Sequence, residues 1–420
     1  MRRITIIFMA LCLASCSADM EIGLDGVRAG YANGEYAAAA QNFTNKTDFQ
    51  SMDNLELLIT ADSLFHANEF AASDAAFEEF NARNIDLTGG DIGRETRALV
   101  AGNMANDYRP YMMDALFVSY YQLWNALAMG DNATARVIIN QSYARQQEMS
   151  REYAELVSEI QSAADENADV AARITYENSS WAAFRDIMNP ALMYLGGIYF
   201  LNNGDFNNAK TYLRRADGMM PDNKCIASDL AAATAKHIPT NTVWFFIEDG
   251  FAPKLHEERM DMPFFSNNGT TMISIALSEP LFFPNDTHVD GACPIADVDA
   301  LFMTEYTQYR VNEVLRAFAS ASSKAALQSV MYNSNSDSAP LLGLIANIYT
   351  MASTNAEIRS WATLPGQISV LRTARPKSGL IEIKSNGNVI TTAYLDAPGN
   401  YLVYVRIIDT GVDTKVIKIK

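Results

Sequence analysis

Apolar and polar positions follow two different periods along the chain. Up to about residue 235 the apolar residues recur at helical spacing and are cut by short Asn, Gly and Asp clusters. The stretch Tyr199–Ala216 (YFLNNGDFNNAKTYLRRA) is the clearest case. An apolar run stops at Asn202-Asn203-Gly204-Asp205 and resumes at Phe206, which predicts a helical hairpin with its turn at Asn203-Gly204-Asp205. After Pro239 the texture changes. Val243-Trp-Phe-Phe-Ile247 and Met272–Leu277 read as strands bounded by Gly, Pro and Asn, with Glu248–Arg259 between them as a turn and polar loop. Helical spacing returns over 296–331, through Leu301, Phe302, Tyr306, Tyr309, Leu315, Phe318 and Leu327. A polar break at Asn333–Ser338 precedes an apolar helix, Leu341–Met351. From Gln367 the pattern is β. Leu380–Lys384 and Val389–Ala393 flank Ser385-Asn386-Gly387-Asn388, a hairpin signature, and Tyr401–Ile408 and Lys415–Lys420 supply two more strands.

The helical part carries an internal spacing. Gly34, Tyr36 and Phe43 stand 34 residues before Asn68, Phe70 and Phe77, the period of tetratricopeptide (TPR) repeats. Each copy places a Gly or Asn at the turn, an aromatic at the start of the second helix, and small residues where helices approach closely. Gly197, Phe200, Gly204, Phe206, Ala209, Leu213, Ala216 and Pro221 fall at the same signature positions, and Leu123-Trp124 with Gly130, Ala135 and Ile139 form a weaker copy. The later copies leave strict register, and Gln141–Asn178 reads as a long solvent-facing helix pair inserted in the array. The predicted fold is therefore mainly α: a TPR-like α-solenoid over 22–235, a mixed α/β region over 240–366, and a small antiparallel β module over 367–420 that packs on the 240–280 strands.

Charge and the N-terminus narrow the setting. A formal net charge of −17 over 420 residues opposes attraction to nucleic acid or to anionic lipid. Arg2 and Arg3, the apolar run from Ile4 to Leu13, and then Leu13-Ala14-Ser15-Cys16 form an export leader over 1–15 whose end looks like a bacterial lipobox. By that resemblance Cys16 becomes the acylated first residue of the mature chain, anchored rather than spanning. Ser17 and Ala18 follow it, which by analogy with sorting rules favours the outer membrane. Beyond the leader, Cys225 and Cys293 are the thiols left besides Cys16, and an exported even pair reads as a disulfide.

Catalytic and metal patterns are incomplete. His256-Glu257-Glu258-Arg259 begins like a metalloprotease helix, but Met260 stands where the second histidine is needed. His288 and Cys293 suggest a base and a thiol nucleophile, yet export favours an oxidised Cys293. Gly-x-Ser-x-Gly, phosphate-loop and dinucleotide signatures are absent from the sequence. No catalytic residue, metal ligand or cofactor is expected. The aromatics Tyr108, Tyr111, Phe117, Tyr120, Tyr121 and Trp124 either line a peptide groove or pack between helices, and packing is the preferred reading.

Four segments together resemble a family: Tyr121 to Val137, Glu248-Asp-Gly-Phe-Ala-Pro253, Asp297–Glu305, and Arg359-Ser-Trp361 with Leu364-Pro365. They are similar to TPR-bearing outer-membrane lipoproteins of Gram-negative bacteria. Those are often encoded beside lipoproteins resembling curli-secretion channels and penicillin-binding-protein activators. The resemblance implies an envelope accessory role and names no catalytic residue. The expectation is a periplasm-facing lipoprotein that is not an enzyme. It would bind other envelope proteins as a scaffold in assembly or secretion, and touch the membrane only through its lipid. The alternatives are a regulator of peptidoglycan synthesis that binds a synthase, and a peptidoglycan or peptide hydrolase.

Overall fold

The computed structural model describes residues 16–84, 108–166, 188–266, 269–285, 287–307, 356–409 and 411–420. The leader 1–15, the apolar positions Tyr309, Leu315, Phe318 and Leu327, and the helix expected at Leu341–Met351 lie outside them. Helices pair as hairpins: α1 (Cys16–Ala32) with α2 (Tyr36–Phe43), α3 (Asn54–His66) with α4 (Phe70–Arg83), α5 (Met112–Ala128) with α6 (Asn132–Glu166), and α7 (Pro190–Asn202) with α8 (Phe206–Met219). Helix α9 (Lys224–Thr234) follows, and residues 298–307 form a further helical segment, α10.

Local chemistry explains these boundaries. Asp53 and Glu56 form a reciprocal capping box at the start of α3. Asn189 caps α7 with Pro190 in its first turn, and Asp205 caps α8. Gly34, Asn68 and Gly204 hold φ of 73°, 66° and 74°, the left-handed conformation that turns each chain back on itself. Phe70 and Phe206 open the second helices, and Phe77, Ala209 and Ala216 are buried on them. At Gly197 a Cβ would lie 2.7 Å from the Leu213 Cγ, so α7 and α8 approach more closely than any other residue allows. Pro221 lies exposed just beyond α8.

The hairpins do not stack as a solenoid, and that expectation is corrected. In a solenoid each repeat touches only its neighbours. Here α1, α3, α5, α7 and α9 send side chains into one continuous core. That core also holds Trp244, Phe246, Ile368, Val370, Leu402 and Tyr404 from a β-sheet. The chain builds an α+β unit in which helices cover a sheet. Helix α7 shows why: all of its residues are buried, which a two-sided repeat stack would not require. The expected insertion has no break at its start, because α6 runs unbroken through residue 141 for 35 residues, and the part of the Gln141–Asn178 stretch beyond Glu166 lies outside the described residues.

The sheet has five strands in the order β4 (Cys293–Asp297), β5 (Gln367–Ala374), β1 (Thr242–Asp249), β8 (Tyr401–Ile408), β9 (Gly411–Lys418). β1 pairs in parallel with β8 and antiparallel with β5, so strands β5, β8 and β9 of the 367–420 stretch share one mixed sheet with 242–249, and only 380–394 forms a separate hairpin. Both β1 and β8 are buried along their whole length, as central strands covered on two faces are. Helices cover one face. The hairpin β6 (Leu380–Ser385) and β7 (Asn388–Tyr394) covers the other, where Ile381, Ile383, Ala393 and Leu395 meet Val243, Phe245, Val403 and Val405. A separate ribbon pairs β2 (Lys254–Ser266) with β3 (Gly269–Leu281), so the stretch expected as a polar loop before Arg259 is strand from Lys254 onward.

Candidate functional site at the helix–sheet interface

A dense polar constellation lies where the C-terminal end of β1 meets the helices. Strand β1 carries the apolar run Val243–Ile247 into Glu248, whose side chain is fully buried. Its Oε2 accepts from the Tyr404 hydroxyl at 2.7 Å, the Tyr121 hydroxyl at 3.0 Å and the Arg406 Nη1 at 3.1 Å. Burial raises the Glu248 carboxyl above its ordinary range, and the Arg406 charge pulls the other way. Burial, the largest single influence, lowers the Arg406 guanidinium, but Glu248 together with Tyr121, Tyr404 and Asp62 outweighs it and the net shift is upward. Arg406 also donates from Nη2 to the Thr363 carbonyl at 2.8 Å. One ion pair thus ties β1, β8, α5 and the 361–366 turn together.

A second chain of polar groups adjoins it. Asp62 on α3 accepts from the Tyr31 hydroxyl at 3.1 Å and from the Thr363 hydroxyl. His66, one turn later on the same helix, sets Nδ1 2.9 Å from the Asp413 carboxylate and Nε2 3.5 Å from that of Asp62. Lys415 reaches Asp413 at 2.8 Å and donates to the His66 carbonyl at 3.1 Å. Burial pushes Asp413 up, yet His66 and Lys415 hold it below its usual value. Near the other end of the sheet, buried Asp229 on α9 accepts from the Tyr194 hydroxyl, the Trp244 indole and Arg372.

These groups do not form a working nucleophile and base. Both His66 nitrogens face carboxylates, and the Ser63 hydroxyl hydrogen-bonds Tyr31 at 3.0 Å rather than His66. The side chains of His66, Asp62, Glu248 and Arg406 are fully buried, so what the arrangement does is lock helices to the sheet. Arg28 on α1 acts alike, donating to the Ala362 carbonyl at 2.9 Å beneath the Phe283 ring. Burial lowers its guanidinium to about 10.

The residues singled out from sequence are placed as follows. Cys225 on α9 and Cys293 on β4 are joined by a disulfide with Cα atoms 6.2 Å apart, so Cys293 offers His288 no thiol. His256 lies in β2 opposite Glu279. Among the described residues, no group of three or more His, Cys, Asp or Glu side chains is placed to hold a metal. The aromatics are buried: Trp124 packs edge-on to Phe246 and Tyr404, and Tyr121 packs against Phe65 and Trp361, on the sheet as well as between helices. Cys16 begins α1.

The four resemblance segments meet in space. Tyr121 binds Glu248, the Ala252 amide donates to the Leu364 carbonyl at 2.8 Å, and the Gly366 amide to the Asp249 carbonyl at 3.0 Å. The Val298 amide donates to the Gly366 carbonyl at 2.9 Å, while Glu305 accepts from the first amides of α5. The sequence reading missed Asp62, His66, Arg406 and Asp229. A charged residue inside an apolar run, such as Arg406 within Tyr401–Ile408, is the signal that would have found one of them. Comparison of the chain with known protein families, curated proteins and solved structures finds no match. The resemblance to envelope lipoproteins therefore rests on short motifs alone.

Proposed function

We propose that the protein is an outer-membrane lipoprotein, anchored through Cys16 and facing the periplasm. It acts there as a protein-binding scaffold or accessory factor in envelope assembly or secretion. The observation that carries this reading is the leader ending in Leu13-Ala14-Ser15-Cys16. The disulfide between Cys225 and Cys293 supports it, because such bonds persist in an oxidising compartment. The inward-facing ion pairs are in keeping with a rigid body that presents surfaces. Palmitate labelling tests the anchor: wild-type protein takes up label and fractionates with membranes, and Cys16→Ser takes up none. Label retained by Cys16→Ser would remove the lipoprotein reading. Crosslinking in envelope membranes followed by pull-down tests the scaffold role, which fails if the wild-type chain yields no crosslinked partner.

A further inference from the structure

The charge of this acidic chain is unevenly placed. Residues 367–420 hold eight Lys and Arg against four Asp and Glu, while the remainder holds twenty-four against forty-five. Within the C-terminal part, Arg406, Lys415, Arg372 and Lys384 are each paired with a carboxylate. The other cations converge on one end of the sheet. The Arg375 amide donates to the Asn241 carbonyl at 2.7 Å, and the Gly399 amide to the Asn241 side chain at 3.0 Å. The Asn400 amide donates to the Lys420 carbonyl at 2.8 Å, and its side chain to the Pro239 carbonyl at 2.6 Å. These bonds bring Arg375, Lys418 and Lys420 to the 395–400 turn, where the Arg375 Nη2 donates to the Leu395 carbonyl at 2.8 Å, and Lys377 follows Arg375 by two residues. Lys377, Lys418 and Lys420 are exposed and Arg375 is half-buried, and the Lys420 ammonium donates to the Asn202 carbonyl at 3.4 Å. Asp396 at the same turn accepts from the Tyr401 hydroxyl at 2.6 Å and is held below its usual value by that bond and, to a lesser extent, by the Lys418 charge. Of the described residues of 367–420, it is the one carboxylate set among these cations. Beside the cations stands an exposed apolar pair: Tyr394 at 67% and Leu380 at 48%, directly opposite each other across β6 and β7.

We propose that this end of the sheet docks an acidic polypeptide segment of a partner protein, its carboxylates on the lysines and an apolar side chain on Tyr394 and Leu380. The proposal rests on the reading of the protein as a binding factor and names the chemistry of its partner. Charge complementarity selects the occupant. A bilayer surface or a nucleic-acid duplex is a broad polyanion that would also meet the acidic remainder of the chain and be repelled. A narrow peptide touches the basic end alone. Tyrosine is enriched among interface anchors, and the lysines around it supply the charge.

The test uses the full chain and a fluorescein-labelled peptide alternating Glu with Phe and Leu. Wild-type protein is expected to bind it with an affinity that falls as salt rises, and to ignore the same peptide with Gln for Glu. The Lys377→Glu/Lys418→Glu variant, whose altered side chains are exposed, is expected to keep its melting midpoint and bind at least about tenfold more weakly. Equal binding by variant and wild type overturns the proposal. So does absence of binding by the wild type, or preferential capture by phosphatidylglycerol vesicles. Crosslinking in envelope membranes separates this from the broader reading. Partners retained in full by the variant overturn the docking surface while leaving the scaffold role standing; a wild type without partners removes both.

Discussion

The pair Glu248–Arg406 sets the energetic stakes at single residues. Each side chain is fully buried, and each is tolerable there only because the other is present. Truncating Glu248 to Ala leaves the Arg406 charge unpaired and deprives the Tyr121 and Tyr404 hydroxyls of their acceptor. The expected cost is about 3–5 kcal/mol. Glu248→Ala combined with Arg406→Met removes the stranded charge and is expected to cost less than Glu248→Ala alone. Urea unfolding of the three proteins measures this; a single-variant cost below about 1 kcal/mol would mean that the pair does not brace the interface. Such pairs are only half legible in sequence. Glu248 is visible at the end of an apolar strand and Arg406 inside one, but nothing local tells that they face each other across a parallel pair 158 positions apart.

Among elements, the start of α5 gathers two buried carboxyls that make it sensitive to pH. Glu305 on α10 accepts the Met113 amide at 3.0 Å and also that of Met112, while Asp114 accepts the Tyr108 hydroxyl at 2.7 Å and the Tyr111 amide at 2.9 Å. Burial dominates both carboxyls, raising Asp114 to about 7 and Glu305 to about 8, with the Asp114 charge adding to the Glu305 shift. Both therefore bind a proton more tightly folded than unfolded. The stability this contributes is complete below the ordinary carboxylate range and is lost as pH rises through about 7 and about 8. The melting midpoint is expected to fall as pH rises from the ordinary carboxylate range to about 8, and less steeply in Glu305→Gln, which cannot ionise. An identical slope in wild type and Glu305→Gln would sink the assignment. Element identity is the readable level: hairpin turns at Gly34, Asn68 and Gly204, caps at Asp53, Asn189 and Asp205, and the β6–β7 turn all follow from local residue chemistry. What the hairpins pack against is not readable, because a helix's apolar stripe is the same whether it meets another repeat or a sheet.

At the scale of the whole molecule, sequence-distant segments close the structure, and the disulfide is the covalent instance. Cys225 on α9 meets Cys293 on β4, one of the two edge strands, across a separation of 68 residues. The Asn223 side chain donates to the Pro294 carbonyl at 2.6 Å, and the Cys225 sulfur lies 3.5 Å from the Val370 carbonyl of β5, so the bond seats a helix on two strands at once. The loop contains β1, β2 and β3, and closing it restricts the unfolded chain by about 4 kcal/mol in the chain-entropy model. Reduction should therefore lower the melting midpoint without dissolving the fold, since the core formed by helices and sheet does not depend on the bond. Because β4 pairs only with β5 in the sheet, exchange of its backbone amides is expected to quicken on reduction more than that of central β1. Alkylation of unreduced, denatured protein provides the direct check: Cys225 and Cys293 are expected to take up no reagent, and modification of both would show that the bond is not formed in the native protein.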